Sequence, residues 1–408
     1  MKKRYSLVDL KYPDLLGRLH HLTVPYAEFN MKKGYGIDGS SIPGFLERES
    51  SDLLIFADPK TEFVDPFFDE PTISYFGRIC YPDGARSPAD PRLILEKAKR
   101  LVKRLGQAYF LPEFEFYLFT RLQVERWQGG MSISFETDEK GSYHSVPPED
   151  RYLQVRNEIT RILNGLGVPV RYHHHEIGGG QQEIELKMTP IDRVGDDIIL
   201  TRYVIANVAR RNGLVASFMA KPLADQPGSG FHLHHLIRKE GRSIFGRKRL
   251  SETGRSYLAG MLYHALSLMP FSNPSTNSYR RFNQNFEAPT ETDFSPGDRT
   301  ALVRIPGHAS EFQFEYRAGD SLANPYLIIS GLICAGVDGV KNRLDLDRLK
   351  VEPLPRDIFE AIDLFYDDQK FLSPVFDSEV TDHYISIIRN RAEIIRQSPH
   401  PLEFEVYQ

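Results

Sequence analysis

Between Leu111 and Phe119 the chain reads LPEFEFYLF, where Phe114, Phe116 and Leu118 alternate with Glu113 and Glu115. A period of two predicts a strand with both carboxylates on one face, about 7 Å apart. The pattern recurs. QQEIELKM alternates Glu183 and Glu185 with Ile184 and Leu186, and SEFQFEYRAG alternates Glu311, Gln313, Glu315 and Arg317 with Phe312, Phe314 and Tyr316. GSGFHLHHLI sets His232 and His234 opposite Phe231 and Leu233. One such strand reads as half-solvated. Four with the same charged face predict a shared polar cavity.

Residues 1–86 are short, β-leaning and turn-rich. A boundary falls at DGARSPADP, before a helix with Asp90 as N-cap and Pro91 as first residue that stops at Gly106. The segment RWQGGMSISFETDEKGSYHSVPPED reads as one long loop, a length that usually signals function or mobility. Helical spacing follows near 149–166, 192–212, 252–268, 322–342 and 355–370. The class is α+β: a small β domain over 1–86, then a larger domain over 87–408 of antiparallel strands flanked by helices.

The chain has 408 residues, with 51 Lys and Arg against 55 Asp and Glu, a net charge of −4. That balance gives no case for nucleic acid or an anionic membrane as partner. Two cysteines, Cys80 and Cys334, are too few for a disulfide framework and fit a reducing cytoplasm. No signal peptide or membrane-length apolar run is expected.

Glutamates with a minority of histidines are the donor set that Mg²⁺ or Mn²⁺ favours. The candidates are Glu113, Glu115, Glu176, Glu183, His232 and Glu315. Facing one cavity without a cation, they would repel and some would protonate. Arg280, Arg281, Arg299, Arg304 and Arg317 add planar forks suited to carboxylate and phosphate. Metals beside arginines are the parts of a phosphoryl-transfer site. The tract His173–His175 cannot converge on one ion, because successive strand residues alternate faces, so it reads as structural. GGGQQ lacks the Lys-Ser/Thr of a phosphate loop and reads as a tight turn or a close backbone approach.

Taken in order, YGIDGSSIPGF, PEFEFYLF, HHEIGGGQQEI, AKPLADQPGSGFHLH, NPSTNSYRRF, FEAP, DRTALVRIP, ANPYL and the C-terminal HPLEFEVYQ resemble the successive signatures of glutamine synthetases of the bacterial and archaeal type I form. The resemblance covers nearly the whole chain. It implies an N-terminal β-grasp domain and a catalytic antiparallel sheet forming a partial barrel. It also implies ATP as co-substrate and two Mg²⁺ or Mn²⁺ ions per site. The expected assembly is a homo-oligomer, a dodecamer with active sites between subunits.

By position in these motifs, the resemblance implies that Glu115, Glu176 and Glu183 hold one ion, and that Glu113, His232 and Glu315 hold the other. Arg299 and Arg304 match phosphate-contacting residues. Arg281 and Arg317 match residues holding glutamate and the transferring group, Gly228 belongs to the same substrate pocket, and His234, with Arg299 and Arg304, matches the nucleotide side. Asp38 matches the acid that binds ammonium and takes its proton, with Ser41 and Tyr143 beside it. Glu287 matches the residue that closes over an acyl phosphate, which water would otherwise hydrolyse. The implied reaction is ligation of ammonia to the γ-carboxylate of glutamate.

Pro227, in PGSGFH, stands where the family usually has Asn, and FMAKPLADQPGSG resembles the γ-glutamylpolyamine synthetase branch. Leu236, Ser310 and Gln313 also depart from the family pattern along the nucleotide edge. The intact DGSS and Glu287 resemble the ammonia-using branch. Two alternatives therefore stand beside ammonia ligation: a γ-glutamyl ligase for an organic amine or polyamine, and a catalytically silent regulator.

Overall fold

Alternating strands come first. β1 (Leu7–Pro13), β2 (Leu19–Pro25), β3 (Tyr35–Asp38), β4 (Asp52–Ala57), β5 (Phe63–Val64) and β6 (Thr72–Cys80) form a six-stranded sheet of order β2-β1-β6-β4-β3, with β5 on β6. The computed structural model describes residues 5–45, 51–127, 130–137, 139, 141–282, 286–307, 309–398 and 400. Apart from His400, the segment HPLEFEVYQ lies outside the described residues.

α1 (Pro91–Val102) starts as expected: the Asp90 carboxylate accepts from Arg92 N at 2.9 Å, with Pro91 in the first turn. Then follow β7 (Gln107–Phe119), β8 (Arg121–Trp127), β9 (Gly130–Glu136), α2 (Leu153–Gly165), β10 (Val170–His175), β11 (Gln181–Leu186), β12 (Thr189–Pro190), α3 (Ile191–Arg211) and β13 (Val215–Ser217). The chain continues through β14 (Phe231–Lys239), β15 (Arg242–Ser243), α4 (Glu252–Tyr263), α5 (Ala265–Ser272), β16 (Phe294–Pro296), β17 (Val303–Ile305) and β18 (Phe314–Tyr316). It then forms α6 (Pro325–Asn342), α7 (Ile358–Asp367) and α8 (Ser378–Arg396).

The second sheet runs β10-β11-β7-β14-β18-β17-β16, with β12 and β13 on β7 and β15 on β14. The four strands with charged faces are therefore neighbours. Most pairs are antiparallel as expected; β1 with β6 and β16 with β17 are parallel. The apolar faces pack on the helices. α6, buried almost throughout, crosses α4 so closely that a Cβ on Gly260 would meet the Ala335 carbonyl oxygen at 2.1 Å.

Charged groups join the two sheets. Arg92, on α1, donates to Asp58 at 3.0 Å beside the first sheet and to Asp196 on α3 at 2.9 Å. Asn324, the N-cap of α6, donates to the Asp14 and Leu15 carbonyls after β1. These ties fix how the β-grasp sheet sits against the larger half.

Three local expectations change. The segment expected as one long loop holds the end of β8 and all of β9, which form a hairpin paired from Arg121↔Glu136 to Trp127↔Gly130. Leu122, Val124, Ile133 and Phe135 alternate there with polar residues, a strand pattern that the surrounding glycines obscure. The helix expected over 252–268 breaks at His264 (φ −93°, ψ 7°), whose ring is held by Asp368 at 2.6 Å and Asp338 at 3.1 Å. α8 was not anticipated, although Asp377 caps it through Glu379 N at 3.0 Å.

Candidate active site

Register gathers the carboxylates. Glu183 pairs with Glu115 and Glu185 with Glu113 across β11 and β7; His232 faces Glu113 across β7 and β14, and His234 faces Glu315 across β14 and β18. Side chains at paired positions share a face, so the alternation seen in sequence becomes one polar wall.

At one end, Glu113 accepts from His232 Nδ1 at 3.0 Å and His234 Nε2 at 2.8 Å. Burial opposes its ionisation, but the two imidazoles win and hold Glu113 well below the usual carboxylate range. Burial and Arg317 push His232 down to about 4. His234 is also buried, yet Glu113 and Glu315 raise it. Glu315 takes Arg304 Nη1 at 2.6 Å on one oxygen and the Arg317 guanidinium on the other. Burial works against its charge as well, and His234 and Arg317 outweigh it. Donor atoms of Glu113, His232 and Glu315 lie within 4.8 Å of one another, so this expected metal set is brought together.

At the other end, the Glu115 carboxylate accepts from Gly230 N at 2.8 Å and Gln181 Nε2 at 3.2 Å. Burial and the Glu176 charge push it up to about 7. Burial, Glu113 and Glu115 raise Glu183 well above the usual carboxylate range. Raised buried carboxyls in a group of like charge are what a site built for cations looks like without them. The donors closing within 4.8 Å here are His174, Glu176 and Glu183. His174 is 3.6 Å from each carboxylate, so reading the whole histidine tract as structural is corrected at this residue. His173 contacts Arg156 and His175 contacts Glu139 at 3.0 Å, both structural as expected. The missed signal is register: His174 lies opposite Glu183 on β11. Glu185, on the polar face by its alternation but outside the candidate metal set, is fully buried and paired with Arg171.

Arg281, buried, donates to the carbonyls of Ala318 at 2.8 Å and Arg317 at 3.0 Å and lies 3.3 Å from His232 Nε2. Gly228 is tight for a reason: a Cβ there would meet the Ala220 carbonyl oxygen at 2.6 Å and the Arg281 chain at 2.7 Å. The Gly228 carbonyl accepts from Gln181 Nε2, which also holds Glu115. Arg317 Nε donates to the Arg299 carbonyl at 2.8 Å, and its Nη2 to the Glu287 carbonyl at 3.3 Å. Burial opposes the charge on Arg299, but Glu287, Tyr143 and Glu315 raise its pKa. Tyr143 stacks on His144 at 4.0 Å, meets His174 edge-on at 5.3 Å, and with both lines a cavity of about 490 Å³.

Asp38 and Ser41 stand apart. The Asp38 carboxylate accepts from Ser40 N at 2.9 Å, Ser40 Oγ at 2.8 Å and Ser41 Oγ at 2.7 Å. These bonds, the Ser41 hydroxyl first, lower it to about 2. Both residues are exposed, and neither makes a hydrogen bond or ion pair with the carboxylate wall among the described residues.

Residues 4–82 match the family described as glutamine synthetase, beta-Grasp domain, and residues 88–407 that described as glutamine synthetase, catalytic domain. A glutamine synthetase of Frankia alni is 34% identical over 98% of this chain and 96% of its own. One of Neisseria gonorrhoeae is 35% identical over 100% and 97%. A 3-hydroxylaminophenol mutase of Cupriavidus pinatubonensis is 34% identical over 98% and 96%. In fold, the chain superposes on the Plasmodium falciparum glutamine synthetase with a TM-score of 0.93, at 22% identity, covering 100% of this chain and 96% of that one. The chain belongs to the glutamine synthetase family.

Proposed function

We propose that this chain is a glutamate–ammonia ligase that uses ATP. The observation that carries the reading is the wall of carboxylates and imidazoles whose far end, Glu315, is clamped by Arg304 and Arg317. Glu113, His232 and Glu315 would hold one Mg²⁺ or Mn²⁺, and Glu115, Glu176 and Glu183, joined by His174, the other. Such ions, when bound, neutralise phosphate charge during transfer.

Arg281 and Gly228 place the glutamate so that its γ-carboxylate oxygen attacks the γ-phosphorus of ATP. The bond to ADP breaks and γ-glutamyl phosphate forms, with Arg299, Arg304 and Arg317 bearing the charge on the transferring oxygens. His234 lies on the nucleotide side. Asp38, ionised at neutral pH, binds ammonium with Ser41 and Tyr143 and removes its proton; ammonia then attacks the acyl carbon and phosphate leaves. Glu287 closes over the intermediate and excludes water.

The domains in this reading are 1–86 and 87–408, and the enzyme works in the cytoplasm as a homo-oligomer, a dodecamer. Two observations support assembly. Among the described residues, Asp38 and Ser41 make no hydrogen bond or ion pair with the carboxylate wall, as expected if they serve a neighbour's. The hairpin β8–β9 also exposes a row of Leu122, Val124, Ile133 and Phe135, an apolar face suited to a second copy. No helix among the described residues is long and apolar enough to cross a membrane.

Pro227, in a segment that resembles the γ-glutamylpolyamine synthetase branch, supports a second reading, ligation of an organic amine; its carbonyl accepts from Tyr117 Oη at 2.7 Å beside Gly228. ADP release with Mg²⁺, ATP and glutamate, comparing ammonium with putrescine, ethylamine and methylamine, separates the readings. Ammonium-dependent turnover supports the first, turnover only with an amine the second. No turnover by an assembled, metal-binding protein leaves the silent regulator.

A further inference from the structure

Away from the carboxylate wall, a cavity of about 360 Å³ lies between the β1–β2 turn, the C-terminal half of α8 and the N-cap of α6. α8 lines it with Tyr384, Ile388, Arg391 and Ile395, the i, i+4, i+7, i+11 stripe of one helix face. Arg18 comes from the turn after Gly17, which takes φ +73°, and Arg202 from α3. Three arginines therefore line the cavity, and no carboxylate is among its described lining residues.

Their charges are poorly answered. The guanidinium groups of Arg18 and Arg391 make no ion pair or hydrogen bond among the described residues. Among the described residues, Arg202 donates once, to the Ala323 carbonyl at 2.8 Å, lies over the Phe231 ring at 5.6 Å, and keeps a buried Nε with no partner. Asp14 and Asp320, the carboxylates that act on these arginines, are committed elsewhere. Asp14 accepts from Leu16 N, Arg18 N and His20; Asp320 accepts from Asn273 and Leu322 N. Burial lowers Arg202 to about 10, and burial and Arg18 lower Arg391. An unpaired donor and mutually repelling guanidinium groups are costs that a bound anion would remove.

We propose that this cavity binds a small organic polyanion, whose carboxylates or phosphate engage Arg18, Arg202 and Arg391 and whose short apolar body rests on Phe218, Leu322 and Ile388. The site also reaches the carboxylate wall. Ser321, in its lining, donates through Oγ to the Glu115 carbonyl at 2.8 Å and the Gly230 carbonyl at 3.3 Å. A ligand here touches the hydroxyl that holds the backbone behind Glu115.

The test is calorimetric titration of the full-length, metal-free protein with citrate, and separately with orthophosphate, at low salt. One anion is expected to bind per chain, about tenfold more weakly in Arg18→Gln or Arg391→Gln and unchanged in Arg304→Gln. Both altered arginines are exposed, so near-ultraviolet circular dichroism should stay at wild type. Orthophosphate binding with the same arginine dependence, without citrate binding, supports the site and narrows its ligands to phosphate esters. Absence of binding by both probes overturns the proposal. So does binding indifferent to Arg18 and Arg391, or binding lost only in Arg304→Gln. The readout is independent of turnover, so failure of the ligase reading leaves it standing.

Discussion

The carboxylate wall predicts that removing one of its charges stabilises the protein without metal and cripples it with metal. Glu115→Gln is the cleanest perturbation. Glutamine keeps the shape, and its carbonyl still accepts from Gly230 N, now 2.8 Å from the carboxylate. Burial and Glu176 raise Glu115 to about 7. A group raised in the folded chain contributes stability that is full below its unfolded pKa and is lost as pH rises through its folded one. For Glu115 that window runs from the ordinary glutamate range up to about 7, and the loss above it is about 3 kcal/mol. Glu183 is shifted in the same direction, so the wild-type trend should be at least this steep. In EDTA near pH 8, Glu115→Gln should therefore melt about 3 °C above wild type, with the gap closing toward about pH 5. Excess Mg²⁺ should reverse the order, because the wild type gains binding energy that the variant forfeits. Differential scanning calorimetry at both pH values, with and without Mg²⁺, reads all of this. A variant melting below wild type in EDTA near pH 8, or a gap independent of pH, refutes the electrostatic account.

Asp38→Asn should lower kcat about 10²- to 10⁴-fold with little change in melting temperature, since the residue is exposed; steady-state ADP release and calorimetry check both halves. His235 is fully buried among Phe110, Phe245, Tyr257 and Phe314, with neither ring nitrogen hydrogen-bonded among the described residues. His235→Phe should add about 1–3 kcal/mol in urea unfolding. Burial holds His235 at about 3, so its stabilising contribution as a neutral ring is lost as pH falls below the unfolded histidine range, a loss the variant should not share. Arg92→Ala leaves Asp58 and Asp196 facing each other without their cation at the junction of the sheets, and should cost about 3–5 kcal/mol of unfolding free energy, measured by calorimetry.

Much of this was legible in the sequence because strand alternation is local. Any residue flanked by apolar neighbours at period two declares its face, and so Glu113, Glu115, Glu183, His232, His234 and Glu315 could be assigned to one wall. The Asp90–Pro91 start of α1 was equally local, a cap and a fixed φ. α8, with its Asp377 cap, and the second strand of the hairpin, with Ile133 and Phe135 alternating with polar residues, carry patterns just as local.

Other features depend on partners far along the chain, which no local pattern names. Opposition of His174 to Glu183 is a matter of register between β10 and β11, and it turned one of three adjacent histidines into a site residue. Which carboxylates hold protons depends on burial and on charges from other strands: Glu113 is ionised by two imidazoles, while Glu115 and Glu183, among like charges, are raised. The clamp of Arg304 and Arg317 on Glu315, the separation of Asp38 from the wall and the three arginines around one cavity likewise arise only when distant segments pack. Sequence by itself determined which faces were polar and the order of the elements. Tertiary structure decided which polar groups meet, because desolvation and charge pairing act through space between residues the chain holds far apart.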